Sequence, residues 1–119
     1  MITEDYVSYE TAKLLKEKGF NSNEISCINV FKGHTYKIQD TVIDADEDVT
    51  IPTIQLTMKW LRNIHGLFIH IDVIREASCW LVDIQDIKED VNIYPVKNEF
   101  PNYEEACEAA IKYCLENLI

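Results

Sequence analysis

Leu67-Phe68-Ile69-His70-Ile71-Asp72-Val73-Ile74-Arg75, followed after Glu76-Ala77-Ser78 by Cys79-Trp80-Leu81-Val82-Asp83-Ile84-Gln85-Asp86-Ile87, decides the fold class of this chain. Both runs are rich in β-branched and aromatic residues and alternate from one residue to the next, and the connection is short enough to join antiparallel strands. We expect a hairpin with one core-facing side, made of Ile69, Ile71 and Val73 with Trp80, Val82 and Ile84. His70, Asp72, Asp83 and Gln85 then face outward.

Helices bracket this hairpin. Upstream, Pro52-Thr53 opens a helix in which Leu56, Trp60, Leu61 and Ile64 share a face, and Gly66 stops it. Downstream, Asn102 caps a helix whose Tyr103, Cys107, Ala110, Ile111, Cys114, Leu115 and Leu118 form one apolar stripe, with Glu104 and Glu105 at its positive end. Near the start, Ser8 caps a helix running to about Lys18, and Gly19 ends it. Phe20 is placed to fold back on Leu15 in a Schellman cap.

Between the first two helices, Cys27 to Phe31 and His34 to Ile38 read as strands joined at Lys32-Gly33, a first hairpin. Residues 39–51 are acidic and without apolar periodicity, so we expect a loop there, ending at Ile51-Pro52. A short edge strand is expected at Asn92 to Tyr94, before Pro95. The whole is a single α+β domain over 1–119. Three helices pack on a mostly antiparallel sheet of four or five strands, in the order helix, hairpin, helix, hairpin, helix.

Composition bounds the function. The chain has 119 residues, 47% of them hydrophobic, with three Gly and three Pro, which is the profile of a globular domain and not of a disordered chain. No apolar run is long enough to span a membrane. With two acids ahead of any base, the opening Met-Ile-Thr-Glu-Asp-Tyr lacks the form of a secretory leader, so a cytoplasmic location is expected. Cys27, Cys79, Cys107 and Cys114 lack disulfide-framework or CxxC spacing and read as reduced core thiols. A net charge of −10 opposes attraction to phosphate backbones and anionic lipid, so neither nucleic acid nor membrane is an expected partner.

Four segments carry a resemblance: Tyr9-Glu10-Thr11-Ala12-Lys13-Leu14-Leu15-Lys16-Glu17-Lys18-Gly19-Phe20, Ile51-Pro52-Thr53, Lys59-Trp60-Leu61-Arg62, and Tyr103-Glu104-Glu105-Ala106-Cys107-Glu108-Ala109-Ala110-Ile111. In this order they resemble a family of small uncharacterised proteins from Bacteroides-type gut bacteria, often found in prophage or mobile-element surroundings. The resemblance spans nearly the whole chain and implies a setting. It carries over no site residues and no activity. The acidic segment before Pro52 is longer here than in the family pattern.

Asp44, Asp46 and Asp48 alternate as at the start of a calcium loop, because a hard cation wants converging oxygens. The continuation lacks the required glycine, where Val49 stands, and the bidentate acid, where Gln55 stands, so a solvated acidic loop competes with this single metal candidate. Zinc would need four convergent Cys or His ligands, and Cys107 and Cys114 lie about 10 Å apart along one helix. Cys79 with His70 is the available thiol and base pair, without a glycine-rich elbow beside it. Isolated glycines offer no phosphate loop, and Lys59, Trp60 and Arg62 read as a core anchor with a solvated flank.

No catalytic residue and no cofactor are therefore expected. The leading expectation is a non-enzymatic, acidic accessory protein of phage or mobile-element origin that binds another protein. An alternative is a small-ligand protein or enzyme with a pocket between hairpin 67–87 and the helices, using His70, Asp72 and Asp83. A further alternative is a DNA mimic that blocks a nucleic-acid enzyme. Self-association through an edge strand, at the first hairpin or near Tyr94, is also expected to be open to the chain.

Overall fold

Ser8 starts the first helix as its sequence implies: in the computed structural model, which describes residues 4–22, 24–95 and 98–119, its Oγ accepts from the Thr11 amide at 3.1 Å. Met1 to Thr3, on which the reading of the leader partly rests, lie outside the described residues. The helix, α1 (Tyr9–Glu17), ends in the expected cap. The Phe20 amide reaches Leu15 O at 2.9 Å, the Gly19 amide reaches Lys16 O at 3.2 Å, and Gly19 sits at φ +91°, where a side chain would be strained. Thr11, Ala12 and Leu15 form its buried face.

By internal packing the chain has two compact units, Met1–Ile54 and Gln55–Ile119. In the first unit the strands are β1 (Ile28–Val30), β2 (Thr35–Ile38), β3 (Thr41–Asp44) and β4 (Val49–Ile51). The expected pairing of 27–31 with 34–38 is wrong: β1 pairs antiparallel with β4, and β2 with β3. A turn does form at Lys32-Gly33, with the His34 amide bonded to Phe31 O at 3.2 Å, but the strands it joins find partners downstream. The reason lies in cross-strand matching. A local hairpin would set Val30 against Thr35 and Ile28 against Lys37, whereas the observed register sets Val30 against Val49, Ile28 against Ile51 and Tyr36 against Ile43.

The segment 39–51 is consequently not a loop. It holds β3 and β4, and the two ladders keep one common register, bridged by Gly33 N to Ala45 O at 2.9 Å and Ala45 N to His34 O at 3.0 Å. Together they make one long ribbon, interrupted at 31–33 and 46–48. Its tip is Gln39-Asp40, with both residues at positive φ, 49° and 64°, as a two-residue type I′ turn demands. Neither is glycine. Gln39 is held there from outside the ribbon: its Oε1 accepts from the Tyr6 amide at 3.1 Å, and its Nε2 donates to Glu4 O at 3.2 Å and Asp5 Oδ1 at 2.9 Å. β4 packs on α1, burying Val49 and Ile51 with Leu15 and Val7.

The chain passes from Pro52 and Thr53 into α2 (Ile54–His65), then to β5 (Leu67–Ile74), β6 (Cys79–Asp86), β7 (Val91–Ile93), β8 (Glu99–Phe100) and α3 (Tyr103–Asn117). β5 and β6 pair antiparallel over their full length, Leu67 opposite Asp86 through Ile74 opposite Cys79. β7 and β8 both pair antiparallel with β6, giving a four-stranded sheet. β7 is the expected edge strand; β8 had no alternation long enough to read. The Arg75-Glu76-Ala77-Ser78 connection closes with Ser78 at φ 50°, the left-handed residue that ends a four-residue hairpin loop.

The α+β class stands, with three helices and antiparallel pairing throughout the described strands, but the strands form two two-stranded ladders and one four-stranded sheet instead of a single sheet. α3 covers one face of the larger sheet, placing Ala106, Cys107, Ala110, Ile111, Cys114 and Leu115 in the interior with Ile69, Val82 and Ile84. That core face fades toward the hairpin tip: Ile71 is half-buried and Val73 is exposed. In α2 the buried residues are Ile54, Thr57 and Leu61, while Ile64, expected inside, is 59% exposed. Trp60 and Trp80 are half-buried, Trp60 edge-on to His65 and Trp80 edge-on to Tyr103. Among the described residues no helix is long and apolar enough to cross a membrane.

Candidate functional site

Tyr9, Lys13 and Lys16 recur at helical spacing and so lie along one stripe of α1. That stripe meets the ribbon interruption Asp46-Glu47-Asp48. The Tyr9 hydroxyl donates to the Asp46 carboxylate and accepts from the Asp46 amide at 3.0 Å and the Glu47 amide at 3.3 Å. Lys13 Nζ lies 3.4 Å from Asp46 and over the Tyr9 ring at 4.9 Å. Lys16 Nζ donates to Asp48 O at 2.7 Å and stands 3.6 Å from Glu47. The Lys32 amide donates to Asp48 Oδ1 at 2.8 Å. An acidic turn that would otherwise repel itself is thus clamped by one phenol, two ammonium groups and a backbone amide.

The electrostatics follow the contacts. The Tyr9 hydrogen bond first, and then Lys13, hold the Asp46 carboxyl below its ordinary value against an opposing desolvation. Desolvation first, and then the bond to Asp46, raise the Tyr9 phenol. Both groups are therefore kept in the protonation states that favour the clamp.

Asp44, Asp46 and Asp48 do not converge. Asp44 Oδ1 accepts from Thr35 Oγ1 at 2.8 Å, Asp46 faces Tyr9 and Lys13, and Asp48 caps the Lys32 amide. Among the described residues no group of three His, Cys, Asp or Glu side chains is arranged to hold a metal ion. The carboxylates proposed as the start of a calcium loop are structural partners of α1 and the ribbon.

Beside the clamp lies a trough of about 300 Å³, lined by Lys16 of α1, by Phe20 and Asn21 after it, and by Asn29, Val30, Phe31, Asp48, Val49 and Thr50 of the ribbon. Its chemistry is mixed. Phe31 is 54% exposed on the rim, Asn29 Oδ1 accepts from Thr50 Oγ1 at 2.8 Å, and Lys16 and Asp48 bring opposite charges to one end. This is an open, aromatic-edged depression with a fixed acidic rim, suited to receiving a protruding side chain.

The second unit disposes of the remaining candidates. Cys79 is opposite Ile74 and His70 opposite Asp83, so thiol and imidazole stand four residues apart along the ladder, about 14 Å at roughly 3.4 Å per residue. They cannot act as nucleophile and base. His70 stacks on Phe68 at 4.5 Å, whose ring also carries the Arg62 guanidinium at 5.5 Å. Asp72 is exposed opposite Leu81, and Asp83 Oδ1 is buried with no hydrogen-bond partner among the described residues. His65, in the last turn of α2, is held toward the neutral form by burial first and by Lys88 second.

Burial pushes the Cys107 thiol up to about 11 and the Cys114 thiol up to about 12, as inert core sulfurs require. Cys27 and Cys79 are half-buried and free, so only two of the four cysteines are core residues. Sequence reading missed the clamp and the trough, although one signal was present: the Tyr9, Lys13 and Lys16 stripe is complementary to the acidic run 44–48. No protein-family model, curated protein or solved structure matches this chain.

Proposed function

We propose that the chain is a non-enzymatic accessory protein that works by binding another protein, and that it does so through the trough on its first unit. The observation that carries this reading is the exposed Phe31 rim beside a prefixed acidic turn. An aromatic edge supplies contact area at low entropy cost, and a clamped acid does not need to be ordered on binding. A partner segment with one basic and one apolar side chain fits both features. A net charge of −10 adds long-range attraction for a basic partner. The mobile-element setting in this proposal rests on the family resemblance.

The test is capture and reconstitution. A partner recovered at stoichiometric amounts from native host lysate, identified and purified, should bind the chain at least about tenfold more weakly when Phe31→Ser is introduced. Val42→Ser, on an exposed strand residue outside the trough, should leave binding unchanged. A reconstituted complex indifferent to Phe31→Ser would remove the trough from the proposal; repeated recovery of no stoichiometric partner would remove the proposal itself.

A further inference from the structure

Strand register fixes which backbone groups the outer edge of β5 presents. β5 is eight residues long and pairs with β6 alone among the described strands. In an antiparallel ladder, residues alternate between pairs bonded to the neighbour and pairs whose amide and carbonyl point away from it. The Val82 amide bonds Asn98 O at 3.1 Å, on the far side of β6 from β5, so the Val82–Ile71 pair is not bonded across β5 and β6. By alternation, Leu67, Ile69, Ile71 and Val73 turn their amides and carbonyls outward. Such a row of open backbone groups is a template for another strand, and no Lys, Pro or Gly interrupts it between Leu67 and Ile74.

We propose that this edge pairs antiparallel with β5 of a second copy of the chain, centred on Ile71 opposite Ile71. The outward groups of Ile69, Ile71 and Val73 are then those that meet, because in this register Ile69 lies opposite Val73 of the other copy and both have outward backbone. His70 lies opposite Asp72 of the other copy, and the two-fold axis makes that contact twice. These are non-bonded pairs, whose side chains approach most closely. Shifting the centre to His70 also satisfies the backbone but sets His70 against His70 and Phe68 against Asp72, losing both matches. A His70 ring N–H donating to the Asp72 carboxylate, made twice about the two-fold axis, therefore favours this register and a second copy as the occupant. Val73, 47% exposed in the single chain, is covered by Ile69 of the other copy.

An edge-only contact is small, so association is expected in the micromolar range, read by light scattering from about 5 to about 500 µM. Residue-resolved hydrogen exchange supplies the register: the Ile69, Ile71 and Val73 amides should gain at least about fivefold protection across that range, while His70 and Asp72, already bonded to β6, should not change. Ile71→Pro removes an outward donor without touching a β5–β6 bond and should abolish the dimer. Asp72→Lys, at an exposed position, should weaken it about tenfold and covers the case in which the proline variant does not fold. A monomer at every concentration, a dimer without protection of the three amides, or a dimer indifferent to Asp72→Lys would each overturn the proposal.

Discussion

The β1–β4 ribbon and the β5–β6 hairpin are both antiparallel excursions of similar length, yet they are built on different terms. In β5–β6 the alternation of Ile69, Val82 and Ile84 with polar residues answers to a helix, α3, that buries one face. The ribbon presents exposed residues at Thr35, Lys37, Thr41 and Val42, and its order comes from attachments at three points. Gln39 ties the tip to the N-terminal segment, Tyr9 with Lys13 and Lys16 ties the acidic interruption, and β4 lies on α1. One element is specified by its own pattern, the other by what grips it.

That contrast can be broken most forcefully in the hairpin. Ile84→Ala, at a fully buried position on β6, should cost about 2–5 kcal/mol in chemical denaturation, whereas Val42→Ala in the ribbon should stay within about 0.5 kcal/mol. If the two cost the same, the ribbon owns more of the core than its exposure indicates.

The next effect belongs to the clamp. Tyr9→Phe removes the oxygen that accepts from two amides and donates to Asp46, and should cost about 1–2 kcal/mol. The Asp46 and Glu47 amides should lose exchange protection while those of β6 keep theirs. Equal loosening of both regions would mean that Tyr9 acts on global stability and not on the ribbon.

At the ribbon tip, Asp40→Gly relieves a left-handed side chain and should stabilise by about 0.5 kcal/mol, the relief exceeding the added freedom of the unfolded chain. Gln39→Gly relieves similar strain but deletes three hydrogen bonds, and should destabilise. Thermal unfolding of the two variants gives the signs. Matching signs would show that the turn, and not its tether, holds the tip.

The smallest effect is the acid limb. Because the Asp46 carboxyl is depressed in the folded state, the unfolded chain binds the proton more readily. The clamp's contribution is complete above the ordinary carboxylate value of 3.8 and fades as pH falls through the lower folded value. Amide exchange at Asp46 and Glu47 should therefore accelerate below about pH 4 relative to the intrinsic rate, and this extra acceleration should be absent in Asp46→Asn.

Much of the second unit, and α1 in the first, was legible because its signals are local. Asn102 capping α3, the Ser8 cap and Gly19 stop of α1, and the alternation of 67–87 each act through neighbours a few residues away. The ribbon was not legible for the opposite reason. Lys32-Gly33 forms a real turn, so a local hairpin looked complete, and the Gln39-Asp40 tip lacks the Asn-Gly signature that would have announced the true reversal. The candidate site shared that fate: acids at 44–48 read as solvated until the stripe of Tyr9, Lys13 and Lys16 was placed against them.

The sequence by itself determined the three helices, the long hairpin and the anionic character of the chain, since caps, periodicity and charge are properties of contiguous residues. Tertiary structure alone decided that 39–51 holds two strands, that Phe31 edges a trough, and that His70 and Cys79 stand apart. Each of those depends on which distant segments match in shape and polarity, and Val30 opposite Val49 outcompetes Val30 opposite Thr35 only once the chain has come together.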